Sequence, residues 1–267
     1  ADKLEELKEK IREKQGLVVS YSGGVDSTLL ALLAREALGD SALAVILDSE
    51  TLSRRELEQA VVLAECMGLN FRVAKHNILQ QKPFRDNPLN RCYICKKSGI
   101  ALLKSIAAAE GISCIADGLN RDDCREWRPG TAACDEEGIW HPFVEAGMGK
   151  EDIRALACDL GLPVWNKPSS ACLASRIPYG QPLTRQTLCM VEAAEDLLKS
   201  LGFGQLRVRA DGGGARIELE KQEMGRALKM GEDIACKLKG LGFSYVCLDL
   251  EGYRSGSMDE VLWTSRD

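Results

Sequence analysis

Within the stretch SYSGGVDST (residues 20–28), Gly23 and Gly24 sit between Ser22 and the pair Asp26–Ser27, after the apolar run GLVV and before the helical run LLALLAREAL. Glycines at the start of a helix let the backbone approach an anion, and the free N–H groups and helix dipole there favour phosphate. Ser22 and Ser27 add hydroxyl donors, and Asp26 is placed to hold Mg²⁺ or to cap the helix. Without a ligand, the same residues would make a capped strand-to-helix turn. The stretch is not a Walker A loop, which needs a lysine before its Ser/Thr, and it lacks the spacing of dinucleotide-binding loops.

A second constellation is built of sulfur. NRCYICKKS places Cys92 and Cys95 in a C-x-x-C, and KPSSACLASRIPYG carries Cys172. One C-x-x-C alone fits metal, redox or neither. Zinc would want a fourth ligand, and neither His76 nor His141 is spaced to supply it. Three thiolates suit a [4Fe–4S] cluster that leaves one iron open for a small ligand. Cys66, Cys158, Cys189 and Cys236 fall on expected helices and Cys114 and Cys247 in expected strands, where a thiol acts as a small buried hydrophobe. Cys124 and Cys134 fall in the loop DDCREWRPGTAACDEEG. Close to Cys172, Arg176 offers a bidentate grip on a phosphate or carboxylate, or else a surface ion pair, and Ser170 and Ser175 offer hydroxyls. Arg207 and Arg209 alternate along QLRVRA and so share one face of a strand. Glu195 and Glu218 read as solvated carboxylates, with metal contact as the alternative.

These residues need a fold to gather them. The chain has 267 residues, 45% of them hydrophobic and 28% charged, with a formal net charge of −5. That length supports one large domain or two modest ones. The mild acidity and only five Tyr and four Trp offer no evident RNA surface. No apolar run is long enough to span a membrane. Eleven cysteines beside a charged, amphipathic first helix predict reduced thiols in a cytoplasmic protein.

Short β-branched runs alternate with helical patterns through the first two thirds. Strands are expected at 16–22, 41–49, 70–77, 112–118 and, briefly, at LPVWN (162–166), with helices at 26–38, 53–68, 94–111 and 149–161. A Ser53–Glu56 capping box opens the second helix. The alternation predicts an α/β fold with a doubly wound parallel sheet wrapped by helices. The loop 169–183 breaks the rhythm with prolines and hydroxyl residues. Beyond it, helix, strand, a DGGG turn, strand, helix (221–241) and strand predict a second, smaller α/β domain. The expected partition is 1–168, an interdomain loop 169–183 and 184–267.

The Ser-Gly-Gly-x-Asp-Ser signature resembles the PP-loop ATP pyrophosphatase superfamily, whose fold is adenine nucleotide alpha hydrolase-like. That resemblance implies that Ser22, Gly23, Gly24, Asp26 and Ser27 bind ATP and that the anion held is its β,γ-pyrophosphate, which leaves when AMP passes to an acceptor oxygen. It also implies that Asp48 and Ser49 frame the adenine and that Gly118 of DGLN lines the same crevice. More widely, NP-x3-CYICK, DD-x4-RPG, HPFVEAGMGKEDIRALACDLGLPVWNKPSSACLASRIPYG and GYRSGSMDE resemble the LarE family from about residue 10 to 265. Its members are ATP-dependent sulfur transferases that build a nickel-pincer nucleotide cofactor.

What that resemblance implies is specific. The substrate is a small nucleotide, pyridinium-3,5-biscarboxylic acid mononucleotide, adenylated on a carboxylate and then thiolated, with Mg²⁺ and ATP. Arg207 and Arg209 contact its phosphate, with Ser175 and Arg176 nearby. The C-x-x-C resembles the members in which Cys92, Cys95 and Cys172 hold a [4Fe–4S] cluster fed by sulfide, and not those in which the single cysteine at the Cys172 position gives up its own sulfur. A homo-oligomer, hexameric in the family, is expected, and a PP-loop tRNA-thiolating enzyme is the rival. Ala210 stands where family members often have histidine after the Arg-x-Arg, so that histidine's role is lost and the turn is expected to be looser. Asp122, Asp123 and Arg128 are expected in a loop able to close over ATP.

Overall fold

The computed structural model describes residues 2–125, 129–168, 170–254 and 256–258. Arg128, Ser255, Asp259 and Glu260 of the motifs above lie outside the described residues. The chain divides into two compact units, one running to Ile78 and from Asn90 to Ser170, the other comprising Leu79–Leu89 and the chain from Ala171 on.

The first unit runs α1 (Asp2–Arg12), β1 (Leu17–Ser20), α2 (Val25–Leu38), β2 (Ala42–Ser49), α3 (Arg54–Cys66) and β3 (Phe71–His76). Short α4 (Lys82–Arg85) belongs to the second unit. The first unit resumes with α5 (Arg91–Ala109), β4 (Cys114–Ala116), α6 (Pro129–Glu136), α7 (Pro142–Glu145) and α8 (Lys150–Asp159). The four strands pair in parallel in the order β3-β2-β1-β4, the doubly wound pattern, with the topological switch beside β1.

β1, β4 and most of β2 read as apolar runs because both sheet faces are covered there and successive side chains go to opposite faces, whereas edge strand β3 keeps Arg72, Val73 and Lys75 exposed. Leu17, Val19, Ala42, Ala44 and Ile46 join one core with Leu29, Leu30 and Leu33 of α2. Val18, Leu43, Val45, Ala74 and Ile115 join another with Ile100, Leu103 and Ala107 of α5. One expected strand is absent: residues 163–166 form a turn after α8. Leu162 N–H caps that helix on Ala157 O at 2.8 Å, and Pro163 has no N–H for a ladder. The sheet is prolonged past β4 by a parallel bridge between Ala116 and Trp140 instead.

The second unit contains α9 (Arg185–Ser200), β5 (Leu206–Asp211), β6 (Gly214–Leu219), α10 (Lys221–Lys229), α11 (Gly231–Gly240) and β7 (Tyr245–Leu248). β5 and β6 are antiparallel and β7 is parallel to β6. The expected helix 221–241 is two helices, parted where Gly231 weakens helix propensity. The DGGG turn is tight, not loose. Asp211 pairs with Gly214, and the two loop residues Gly212 and Gly213 take φ of 54° and 85°, the left-handed pair that a two-residue hairpin requires.

Segment 79–89 is sewn into this unit by Asn87, which is fully buried with φ of 53°. Its Nδ2 donates to Pro178 O at 2.8 Å, Gln181 O at 3.0 Å and Ile177 O at 3.3 Å, and its carbonyl accepts from Gly180 N–H at 2.9 Å. Asn87→Ala would strand those carbonyls and put in the left-handed region a residue that tolerates it less well than Asn, so thermal unfolding should show a loss of about 2–4 kcal/mol. Asn87→Gly should recover only the backbone part of that loss.

Candidate functional site

The phosphate loop follows β1. Gly24 is the N-cap of α2, with no side chain capping the helix's first N–H groups. An uncapped start to a buried, apolar helix is a ready anion seat. Ser22 and Ser27 brace the loop across its mouth. Their hydroxyls are 3.1 Å apart, Ser22 N–H donates to Ser27 Oγ at 3.1 Å, and Ser27 Oγ–H donates to Gly24 O at 3.2 Å. Gly23 has φ of 70°, and a Cβ there would lie 2.8 Å from the Ala60 Cβ. A Cβ on Gly118 would lie 2.8 Å from Ser27 N. Both glycines therefore answer to close backbone approach, and the end of β4 does pack against the loop.

The loop has no lysine of its own, yet two reach it from far along the chain. Lys150 Nζ pairs with the Asp26 carboxylate, 124 residues away, and Asn120 Nδ2 donates to the same carboxylate at 3.2 Å. Lys167 Nζ lies 3.4 Å from Gly23 O and 2.7 Å from Glu56 Oε2. Ser53 does cap α3, accepting from Glu56 N–H at 3.2 Å, but the Glu56 carboxylate goes to Lys167 and does not close the box. The sequence reading missed Lys150 and Lys167, since no local spacing ties them to residues 22–27, and it expected DGLN (117–120) at the crevice without giving Asn120 this role. Asp26 stays the oxygen donor nearest the loop that suits Mg²⁺, a hard cation that takes most of its remaining ligands from phosphates and water.

At the end of β2, Asp48 is buried and bound by Arg54 at 2.6 Å and by Lys75. Burial alone would raise its pKa, but the hydrogen bonds and charges of Lys75 and Arg54 outweigh this and lower it. The Ser49 hydroxyl is 3.0 Å from that of Thr51. With both side chains engaged, the strand end offers a ligand mainly its backbone. Asp122 and Asp123 are also locally committed. Asp122 accepts from Lys150 N–H at 2.7 Å, and Asp123 accepts from Asn120 Nδ2 at 2.7 Å.

Past β4, Asp117 gathers Lys96 at 3.0 Å, His141 Nδ1 at 2.7 Å and the Cys134 thiol at 3.4 Å. Burial opposes the charge on Asp117, yet His141 and Lys96 hold it well below the usual carboxylate range. Burial pushes the Cys134 thiol up to about 12. Among the described residues Cys134 is the buried thiol, whereas Cys66, Cys158, Cys189, Cys236 and Cys247 are exposed and Cys114 is half-buried. The expectation of buried helix and strand thiols thus fails for those five, which lie on the outer faces of their elements, but Cys114 does pack against the core, and Cys134, expected in a loop, is buried on α6. Cys124 is exposed and its thiol donates to Asn120 O at 3.6 Å.

Cys92 and Cys95 lie one turn apart on the first turns of α5, Cys92 exposed and Cys95 half-buried. Cys172, in the second unit, is exposed at the N-cap of the short 3-10 helix Leu173–Arg176. In ligand kind and accessibility these thiols fit an iron–sulfur cluster. Among the described residues, however, no three His, Cys, Asp or Glu side chains are placed as a group to hold a metal ion.

The arginines of the second unit divide sharply. Arg176 is 2% exposed, its Nε donating to Glu195 Oε1 at 2.8 Å and its Nη2 to Oε2 at 3.2 Å. Arg209 binds Glu218 in the same two-pronged way, at 2.9 and 2.8 Å. Glu195 and Glu218 are therefore neither solvated nor poised for metal. They are the buried counter-charges of this unit, and Arg176 and Arg209, read as anion-binding groups, have their forks already filled. Ser175 donates its hydroxyl to Cys172 O at 2.8 Å. Arg207 differs, since among the described residues no carboxylate lies within ion-pair distance of it. Its guanidinium stacks over the Tyr253 ring, 5.2 Å from the centroid, and donates to Leu206 O at 2.7 Å. Burial, and then the positive charge of Arg176, lower its pKa.

His141 yields a test of the Asp117 cluster. Burial lowers its pKa, but the hydrogen bond and charge of Asp117 win, so the folded value lies above 6.5. A raised folded pKa contributes stability that is complete below about pH 6.5 and fades as pH rises through the folded value. The melting temperature of the wild-type protein should exceed that of His141→Asn most at acidic pH, and the gap should narrow as pH rises. A gap constant with pH would contradict the assignment.

The chain is similar to several known proteins. A family model described as NAD synthase matches residues 2–83. The chain is 39% identical over 263 residues to the pyridinium-3,5-bisthiocarboxylic acid mononucleotide synthase of Lactiplantibacillus plantarum, covering 98% of this chain and 95% of that protein. It is 40% identical to an uncharacterized protein of Synechocystis sp., over 97% of this chain and 98% of that one. To a glutamine-hydrolyzing GMP synthase polypeptide of Methanococcus maripaludis it is 28% identical over 61% of this chain and 55% of that protein.

Proposed function

The chain belongs to the LarE family, that of the pyridinium-3,5-bisthiocarboxylic acid mononucleotide synthase, and we propose that it is an ATP-dependent sulfurtransferase acting on pyridinium-3,5-biscarboxylic acid mononucleotide. The observation that carries the reading is the uncapped, glycine-lined helix start at Gly24 with Asp26, Lys150 and Lys167 around it. A substrate carboxylate oxygen attacks the α-phosphorus of ATP, and the bond to the β-phosphate oxygen breaks. The loop N–H groups and the Ser22 and Ser27 hydroxyls stabilise the departing pyrophosphate, while Asp26 holds Mg²⁺. The two lysines neutralise charge that a loop without its own lysine leaves uncovered. A sulfur nucleophile then adds to the acyl carbon of the acyl-adenylate and AMP leaves, giving the thiocarboxylate.

On this reading Cys92, Cys95 and Cys172 would hold a [4Fe–4S] cluster, and the chemistry it would supply is sulfide for the transfer. A second reading, in which Cys172 gives up its own sulfur, is favoured by the exposure of Cys172.

With ATP and the mononucleotide, the expected products are pyrophosphate and AMP. Asp26→Ala should lower the rate by roughly 10²–10³-fold without unfolding the protein. ADP and orthophosphate as primary products would refute the assignment.

The arginines should separate in the same assay. Arg207, with no carboxylate against it among the described residues, is the cation left to take the substrate phosphate. Arg207→Ala should weaken mononucleotide binding by about ten- to a hundredfold, with ATP affinity and melting temperature unchanged. Arg209→Ala takes the two-pronged partner from buried Glu218 and leaves it the longer Arg216 contact at 3.5 Å and the Ser257 hydroxyl, so it should cost about 3 kcal/mol of stability instead. Calorimetric titration and thermal unfolding of both variants check this. Equal binding losses for both would place the phosphate elsewhere.

A further inference from the structure

The peptide around Cys172 is held by more than its own turn. Cys172 O accepts from the Ser175 hydroxyl at 2.8 Å, Ser175 N–H at 3.0 Å and Arg176 Nη1 at 3.1 Å. Arg176 Nη1 also donates to Ala171 O at 2.8 Å and to Ser175 Oγ at 2.9 Å. Further along the same loop, Ser175 O accepts from Arg209 Nη1 at 2.8 Å. The carbonyls on both sides of the Cys172 α-carbon are thus bound to one buried guanidinium, and that guanidinium is fixed by Glu195. Glu195 is anchored in turn, its Oε1 accepting Val208 N–H from β5 at 3.2 Å. The Cys172 side chain itself is exposed.

From this geometry we infer that the Arg176–Glu195 pair is a positioning device for the Cys172 thiol and not a ligand for a substrate anion. The inference rests on the proposal that the Cys172 thiol takes part in sulfur transfer, as a cluster ligand or as the sulfur donor. A planar guanidinium can turn one edge to the carboxylate and the other to two successive carbonyls. A lysine could satisfy Glu195 but could not span that set. Arg209 and Glu218 repeat the arrangement at Ser175, so the short helix carrying the thiol is tied at both ends to the sheet of its own unit. Fixing the main chain of Cys172 narrows where its sulfur can be, which sulfur delivery to an adenylated carboxyl carbon needs whether that sulfur is a ligand or the donor.

Arg176→Lys tests this, because it keeps the charge beside Glu195 and removes the fork. Hydrogen exchange on ligand-free protein should be faster by about tenfold or more at the Ser175 and Ile177 amides, and unchanged elsewhere. The kcat for sulfur transfer should fall roughly 10- to 100-fold, with KM for ATP and for the mononucleotide held. Exchange and kcat both at wild-type levels would overturn the inference, as would a raised KM for the mononucleotide with kcat held, which marks an anion ligand. Should Arg176→Lys fail to fold, Ser175→Ala removes one bond to Cys172 O while sparing the buried pair, and its local exchange should rise about threefold. No rise there would also overturn it. If wild-type protein makes no thiocarboxylate, the exchange result still reports on the clamp, so the two proposals fail separately.

Discussion

A charge carried out of water has to be met in full, and the second unit is organised by that demand. Glu195 and Glu218 are 4% and 0% exposed, and each is gripped along both oxygens by an arginine. Breaking such a pair costs about 3–5 kcal/mol, because the partner stays buried with its charge unmet. The pairs therefore fix α9, β5 and β6 against one another and hold the segment 171–176 as a by-product. Arg216 reaches Glu218 as well, at 3.5 Å, and Asp249 at 3.6 Å, whereas half-buried Arg207 has no carboxylate within ion-pair distance among the described residues and is laid against Tyr253. Arg207 is thus the guanidinium of this set left for an added anion.

The first unit answers a different demand. Its phosphate loop must come close to a ligand and to its own neighbours at once. Gly23 presses on α3 and Gly118 presses on Ser27, so the crevice at the strand ends has little room for side chains there. Cations arrive instead on long side chains from α8 and from the segment after it. An ammonium on a flexible stem suits a site where phosphate charge moves and leaves, since it can follow that charge without a fixed fork.

Much of this was legible in the chain. The signature around Ser22–Ser27 is local, so its glycines, hydroxyls and carboxylate could be read together, and the parallel sheet followed from apolar runs alternating with helical spacing. What escaped was long-range. Lys150 and Lys167 meet the loop from 124 and 144 residues away, and nothing in their own neighbourhoods announces it. LPVWN has strand-like composition, but its turn hydrogen bonds and its proline override propensity. Glu195 did carry a signal. It falls on the stripe of Leu188, Val191 and Leu198 that α9 buries, and a carboxylate at such a position calls for an arginine. Arg176, Arg207 and Arg209 were noticed as cations, but their division into two structural groups and one available group depends on which carboxylates reach them.

The central claim is that sulfur is carried on a cluster that Cys172 helps to hold, so that Cys172 survives the reaction. The direct measurement is peptide mass spectrometry of residue 172 after one turnover under anaerobic conditions, with thiocarboxylate formation confirmed in the same sample. The account predicts cysteine of unaltered mass at position 172, and loss of iron and of turnover when Cys92 or Cys95 is changed to Ala. A residue 172 that has lost the elements of hydrogen sulfide to become dehydroalanine, with Cys92 and Cys95 dispensable, would contradict it.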